Sequence, residues 1–99
     1  MSTALTFTTG RGPDGAVVLA ATGEIDMSKA AAFAAALSGA RADAGGPVVV
    51  DLTRVQYLDS AGLAALFPHV DHVRLVASPL LAPVLTIAGL DDRTTVQEQ

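Results

Sequence analysis

Three groups of residues in this chain carry side chains able to do chemistry. The first is Asp59-Ser60, a carboxylate beside a hydroxyl. A serine nucleophile needs a base within reach and a third group to orient that base. The histidines are His69 and His72, 9 and 12 residues further on, and no G-x-S-x-G elbow is present. A small serine hydrolase built on Ser60 is therefore the weakest reading of the pair. Asp and Ser are also preferred helix caps, so the plain alternative is a capped helix start. The second group is Glu24 and Asp26, two carboxylates two residues apart. An exposed acid at a helix start explains them better than an acid–base pair. The third is His69, Asp71 and His72, the one grouping with metal-ligand chemistry. Pro68 disrupts the helix that would align the two histidines, and these three on a loop match no recognised ligand spacing. A solvated turn is expected there, and no metal or other cofactor. With no cysteine, disulfides, thiolate zinc sites, iron–sulfur clusters and cysteine nucleophiles are all excluded.

The composition narrows the field further. Ninety-nine residues suffice for one domain, spanning 1–99, with a modest core. At 51% hydrophobic and 16% charged the chain is not intrinsically disordered, although much of the apolar content is alanine. A net charge of −4 with six scattered basic residues, of which only Lys29 is lysine, argues against a nucleic-acid partner. Neither a G-x-x-x-x-G-K-[ST] nor a G-x-G-x-x-G loop occurs. The first nine residues lack the basic and apolar regions of a signal peptide, and no apolar run approaches about 18 residues. A cytoplasmic location without direct membrane insertion is expected.

The elements that must position Ser60 follow from periodicity and punctuation. Thr3 to Thr9 alternates around Leu5 and Phe7, Pro13-Asp14-Gly15 is a turn, and Ala16 to Ala21 is the returning strand. Asp26 or Ser28 caps an alanine-rich helix whose rhythm includes Met27, with Phe33 and Leu37 as its buried stripe. Gly45-Gly46-Pro47 stops it. Val48 to Leu52 is a continuous apolar run interrupted only by Asp51, the pattern of a strand buried on both faces. A short helix begins at Asp59 or Ser60 and is ended or bent at Pro68. Val73 to Ala77 is a further strand. Ser78-Pro79 opens a last helix, irregular in its first turn because of Pro83, that stops at Gly89. Arg93 to Val96 is a last edge strand and Gln97 to Gln99 a frayed end. The order β-β-α-β-α-β-α-β predicts a single α/β domain with a mixed, mostly parallel sheet and helices packed on it.

Three segments resemble the STAS domain family, specifically its bacterial anti-sigma-factor antagonists. Asp59-Ser60-Ala61-Gly62-Leu63 is similar to the family's D-S-x-G-[LVI] helix start, which follows a buried strand and a loop. Gly23-Glu24-Ile25-Asp26 resembles its G-E-[LIV]-D element, and Ala77-Ser78-Pro79 the start of its last helix. The helix after the D-S-x-G element usually runs several turns, and here Pro68 shortens it. The resemblance implies a protein that is not an enzyme and works by partner switching. Unmodified, it would bind an anti-sigma factor that is also a serine kinase and so release a sigma factor in a stress response. Phosphorylation of Ser60 would switch it off, and a PP2C-type phosphatase would restore it. The partner-binding residues implied are Asp26, Asp59, Ser60, Ala61, Gly62 and Leu63. A D-[ST]-A-G-L motif also occurs in STAS subunits of lipid-transport ATP-binding-cassette systems, which is the alternative reading.

The physics of Ser60 can be stated beside the resemblance. At a helix N-terminus its hydroxyl is expected near unsatisfied backbone N–H groups, and the helix dipole favours added negative charge. A phosphate adds about −1.5 to −2 charge. The fold should tolerate it, whereas a docked surface should not. Gly62, just inside a helix, sacrifices up to ~1 kcal/mol against alanine, which predicts close approach of a neighbouring strand or of a partner.

Overall fold

The computed structural model describes residues 4–99, apart from the side chain of Asp91. Strands β1 (Thr6–Arg11) and β2 (Val17–Ile25) form the opening hairpin. Thr3, the first residue of the predicted strand, lies outside the described residues, and β1 runs two residues past the predicted Thr9. The turn works as its residues dictate: Asp14 accepts the Ala16 N–H at 3.1 Å, and Gly15 takes φ 81°. Helix α1 (Ala30–Asp43), β3 (Val48–Leu58), α2 (Ser60–Leu66), β4 (Val73–Ala77), α3 (Ala82–Ile87) and β5 (Val96–Glu98) follow. Short 3-10 turns at Met27–Lys29, Phe67–His72 and Leu90–Asp92 link them.

The sheet order is β1-β2-β3-β4-β5, antiparallel at the first pair and parallel at the other three. Each of the three crossovers therefore steps in the same direction. Right-handed connections, the rule in about 98% of such units, then place α1, α2 and α3 on one face. Burial agrees. Val17, Leu19, Ala21 and Ile25 of β2, Val48, Val50 and Leu52 of β3, and Val73, Leu75 and Ala77 of β4 are buried. Their neighbours Val18, Ala20, Val49, Asp51 and Val76 are only half-buried. The expectation that β3 is buried on both faces is thus corrected: the helices cover one face, and the other is open.

The second correction concerns Thr53 to Leu58, where the resemblance implied a loop. These residues continue β3 to 11 residues. The register against β2 slips between Ala20 and Thr22 and again between Gly23 and Glu24, with an extra β3 residue each time. Each bulge resets the side-chain alternation. Inward positions accordingly run Val50, Leu52, then Val55 and Leu58. Asp51 serves the first bulge by accepting from the Thr53 N–H at 2.9 Å and the Thr53 hydroxyl at 2.6 Å.

On the covered face, Phe33, Leu37 and Ala40 of α1 are buried, and the Phe33 ring stacks on Phe7 of β1 at 6.1 Å. Met27 does not join this stripe. It belongs to the 3-10 turn before α1 and is 79% exposed. At the other end of the chain, Gln97 and Glu98 pair with Val76 and Ala77, and Gln99 donates to the Ala77 carbonyl at 2.9 Å. The predicted frayed end is therefore the last strand itself, two to three residues later than expected.

Candidate functional site

Parallel strands deliver their carboxyl ends to one end of the sheet, and the two motifs meet there. Ile25 closes β2 and Leu58 closes β3, directly paired. The N–H of the next residue, Asp59, donates to the Ile25 carbonyl at 3.2 Å. Asp59 then caps α2, its Oδ1 accepting from the N–H groups of Ala61 at 3.0 Å and Gly62 at 3.1 Å. The Leu63 N–H donates to the Asp59 carbonyl oxygen at 3.0 Å. On the neighbouring strand Asp26 does the same for the Met27–Lys29 turn, accepting from the Ser28 N–H at 3.0 Å and the Ser28 hydroxyl at 2.6 Å. The Ser28 hydroxyl holds the Asp26 carboxyl below the ordinary carboxylate range, with the Lys29 charge assisting.

This arrangement leaves Ser60 exposed, and its hydroxyl makes no hydrogen bond among the described residues. It also corrects one expectation. The N–H groups of Ala61, Gly62 and Leu63 are already taken by Asp59, so a phosphate on Ser60 meets no open cradle of amides. Its charge would project outward, beside Asp59 and across from the Asp26 turn, which packs against α2.

Gly62 is buried for the reason its position predicts. A Cβ there would lie 2.4 Å from Leu58 Cδ1, 3.0 Å from Ile25 Cγ2 and 3.2 Å from the Ile25 carbonyl oxygen. The neighbouring strand ends, and not a partner, fill the space. Ala61 and Leu63 are half-buried beside it. Two residues also stand at this end, Met27, which periodicity assigned to the α1 rhythm, and Tyr57, which it did not single out. Met27 is 79% exposed and Tyr57, paired with Glu24, is 51% exposed. Large apolar side chains left in water next to a polar centre are a signal that only the folded surface reveals.

The His69 group is placed elsewhere. His69 is buried, and its Nδ1 lies 3.0 Å from Arg41 Nη1. Burial, then the Arg41 charge, then the His72 charge, lower its pKa from the ordinary histidine value. The solvated turn expected here describes Asp71 and His72, which are exposed, but not His69. Among the described residues no group of His, Asp and Glu is arranged to hold a metal. His69 also lies beyond the far end of α2, a helix about 10 Å long that starts at Ser60. That separation and the contact with Arg41 keep His69 from serving Ser60 as a base. Two surface recesses, about 350 and 300 Å³, surround Gly45, Gly46 and Pro47 at the opposite end of the sheet. Ser60 lines neither recess.

The fold is a two-layer α/β domain in which an exposed serine follows the capping aspartate at the carboxyl end of a parallel β-α unit. Residues 9–97 match the family model described as "Mlab, STAS domain", and the chain belongs to the STAS domain family. Its fold is similar to that of an anti-sigma factor antagonist from Mycobacterium paratuberculosis, with a TM-score of 0.85 at 29% identity over 95% of this chain and 86% of that one. It is also similar to the unphosphorylated anti-sigma factor antagonist SpoIIAA, with a TM-score of 0.72 at 18% identity over 95% of this chain and 88% of that one. The phosphorylated form of the Bacillus cell fate determinant SpoIIAA gives a TM-score of 0.66 at 19% identity, over 95% and 91% of the two chains. A search of curated proteins returned no match. Among the described residues no helix is long and apolar enough to cross a membrane.

Proposed function

We propose that this STAS domain is an anti-sigma-factor antagonist that acts in the cytoplasm as a binding module and not as an enzyme. It binds an anti-sigma factor with serine-kinase activity through the rim formed by Asp26, Asp59, Ser60, Ala61, Gly62 and Leu63. Met27 and Tyr57 are its apolar anchors. Phosphorylation of Ser60 switches binding off, and a PP2C-type phosphatase restores it. The observation that carries this reading is the division of labour at α2: Asp59 caps the helix, so the exposed Ser60 hydroxyl has no structural duty. A kinase can modify it without unfolding the domain. The outcome falls on the interface, where each ~1.4 kcal/mol lost weakens binding tenfold. Glu24, Asp26 and Asp59 already gather at this rim with Lys29, so a dianion there adds like charge. Incubation with candidate anti-sigma kinases and ATP, followed by phosphosite mapping, is the test. Labelling at Ser60 that disappears in Ser60→Ala supports the reading, and labelling that persists in Ser60→Ala sinks it.

A second reading is favoured by the matched family model, whose description is not that of an anti-sigma antagonist, and by Ala61 in the Asp-Ser-Ala-Gly-Leu segment. It is a STAS subunit of a lipid-transport ATP-binding-cassette system. In that case a transporter subunit copurifies with the chain, and the unmodified wild type binds an anti-sigma kinase no better than background.

A further inference from the structure

Asp51 and Arg54 stand three residues apart on β3, a spacing that on a regular strand puts side chains on opposite faces. The first bulge cancels that. Leu52 and Val55 both face the core with two residues between them, so Thr53 and Arg54 turn together to the uncovered side, where Asp51 already points. The register aligns Thr8, Ala20 and Asp51 in one row across β1, β2 and β3, and Thr22 with Arg54 in the next. These residues and Ala21 line a recess of about 280 Å³, hollow because the short Ala20 side chain stands between Thr8 and Asp51. Asp51 Oδ1 is engaged by Thr53. Its Oδ2 has no protein partner among the described residues and is reached by solvent. Arg54 makes no hydrogen bond or ion pair among the described residues, with Asp51 or with any other. The recess therefore holds one free carboxylate oxygen and one free guanidinium side by side.

We propose that this recess on the uncovered sheet face binds a small aliphatic zwitterion, its ammonium group on Asp51 and its carboxylate on Arg54. The guanidinium offers the forked donors that match a carboxylate, and Asp51 Oδ2 accepts from the ammonium. The Thr8 and Thr22 hydroxyls on the facing strands are further partners for the carboxylate. Because Asp51 and Arg54 pair with Ala20 and Thr22, two residues apart on β2, they are separated by roughly 6.6 Å along the strand. That spacing favours a ligand whose charges are held apart by a short methylene chain over an α-amino acid. The volume lies just under the ~300 Å³ at which ligand sites usually begin, as a ligand this small requires. The helices cover the other face of the sheet, so this site does not depend on the role proposed for Ser60.

Amide NMR titration of the intact, isotope-labelled chain with γ-aminobutyrate tests this, with butyrate and butylamine as single-charge controls at the same pH and ionic strength. The amides of Thr8, Ala20, Thr22 and Arg54 should shift and saturate with a Kd on the order of 1 mM. Butyrate and butylamine should each bind at least about tenfold more weakly, because each leaves one of the two protein charges unmatched. Arg54→Gln, at an exposed side chain, should weaken γ-aminobutyrate binding at least about tenfold with unchanged Tm. Arg54→Lys should recover part of that loss, since it restores the charge without the fork. The absence of a saturating shift up to about 20 mM overturns the proposal. So do equal affinities for the three ligands, an Arg54→Gln variant that binds as the wild type does, and shifts confined to the Gly45–Pro47 end of the sheet.

Discussion

Asp26 and Asp59 leave adjacent parallel strands in the same conformation, at φ −102°, ψ −176° and φ −96°, ψ −175°. Each turns its carboxylate back onto the N–H two residues ahead, at 3.0 Å in both cases. The repetition follows from the fold. Two chains emerging side by side from a parallel sheet must each stop pairing and enter a helical turn, and an aspartate in extended conformation does both. What differs is the next residue: Met27 after one and Ser60 after the other, both exposed.

The Asp59 cap should be measurable in stability. Asp59→Ala removes the acceptor of two N–H groups and should destabilise the domain by about 1–2 kcal/mol, while Asp59→Asn should retain most of the cap. Urea unfolding followed by circular dichroism reads the difference. Equal losses for Ala and Asn would mean that charge, and not the hydrogen bonds, is what Asp59 supplies.

Gly62→Ala sets two effects against each other. Helix propensity favours alanine by up to ~1 kcal/mol, but the added methyl meets the Ile25 carbonyl oxygen at 3.2 Å as well as the more yielding tip of Leu58. The backbone contact should win, giving a net loss of about 1–3 kcal/mol and a larger one for Gly62→Val. For a domain of this size 1 kcal/mol shifts Tm by roughly 4–8 °C, well within a thermal melt's resolution. A raised Tm for Gly62→Ala would show that the strand ends give way easily.

His69 gives the fold a pH dependence of defined sign. Its pKa is depressed in the folded state, so below the ordinary value of about 6.5 the unfolded chain takes up a proton that the folded chain resists. Stability therefore falls as pH drops from 6.5 and levels off once folded His69 is itself protonated. The slope stays under about 1.4 kcal/mol per pH unit for one group. Melts of the wild type and His69→Gln between about pH 5 and 7.5 should show a slope that the variant flattens. An identical slope in both would assign it to other groups.

Met27 and Tyr57 should matter to binding and not to folding. Each is largely in water, so alanine at either position should leave Tm within a degree or two. Anchors of this kind typically contribute more than about 1 kcal/mol, so affinity for the anti-sigma partner should fall at least several-fold. Calorimetric titration with each variant checks this, and unchanged Kd for both would place the docking surface elsewhere.

How much of this was legible in the sequence depended on scale. The apolar run of Val48 to Leu52, the Phe33–Leu37 stripe and the Ser78-Pro79 start are local patterns that predicted the order of elements, and the resemblance placed Asp26 beside Asp59 to Leu63. Open burial on one sheet face was not legible, because apolar runs look alike whether a helix covers one side or two. Nor were the two bulges in β3, since an extra residue mimics a loss of strand periodicity at Arg54 and Gln56. His69 was misplaced on a solvated turn because its partner Arg41 is 28 residues away. Most consequentially, the cap was shared in the sequence between Asp59 and Ser60, and only the geometry assigns it to Asp59.

That assignment leaves Ser60 without a part in supporting the fold, and the switch proposed at Ser60 is what one measurement addresses directly. The affinity of the anti-sigma partner should be determined for the unmodified chain and for the same chain phosphorylated at Ser60, with melts of both. The account predicts a loss of at least a hundredfold in affinity, about 2.7 kcal/mol, with little change in Tm. Equal affinity of the two forms would contradict it, as would a phosphorylated chain that loses binding only because it has unfolded.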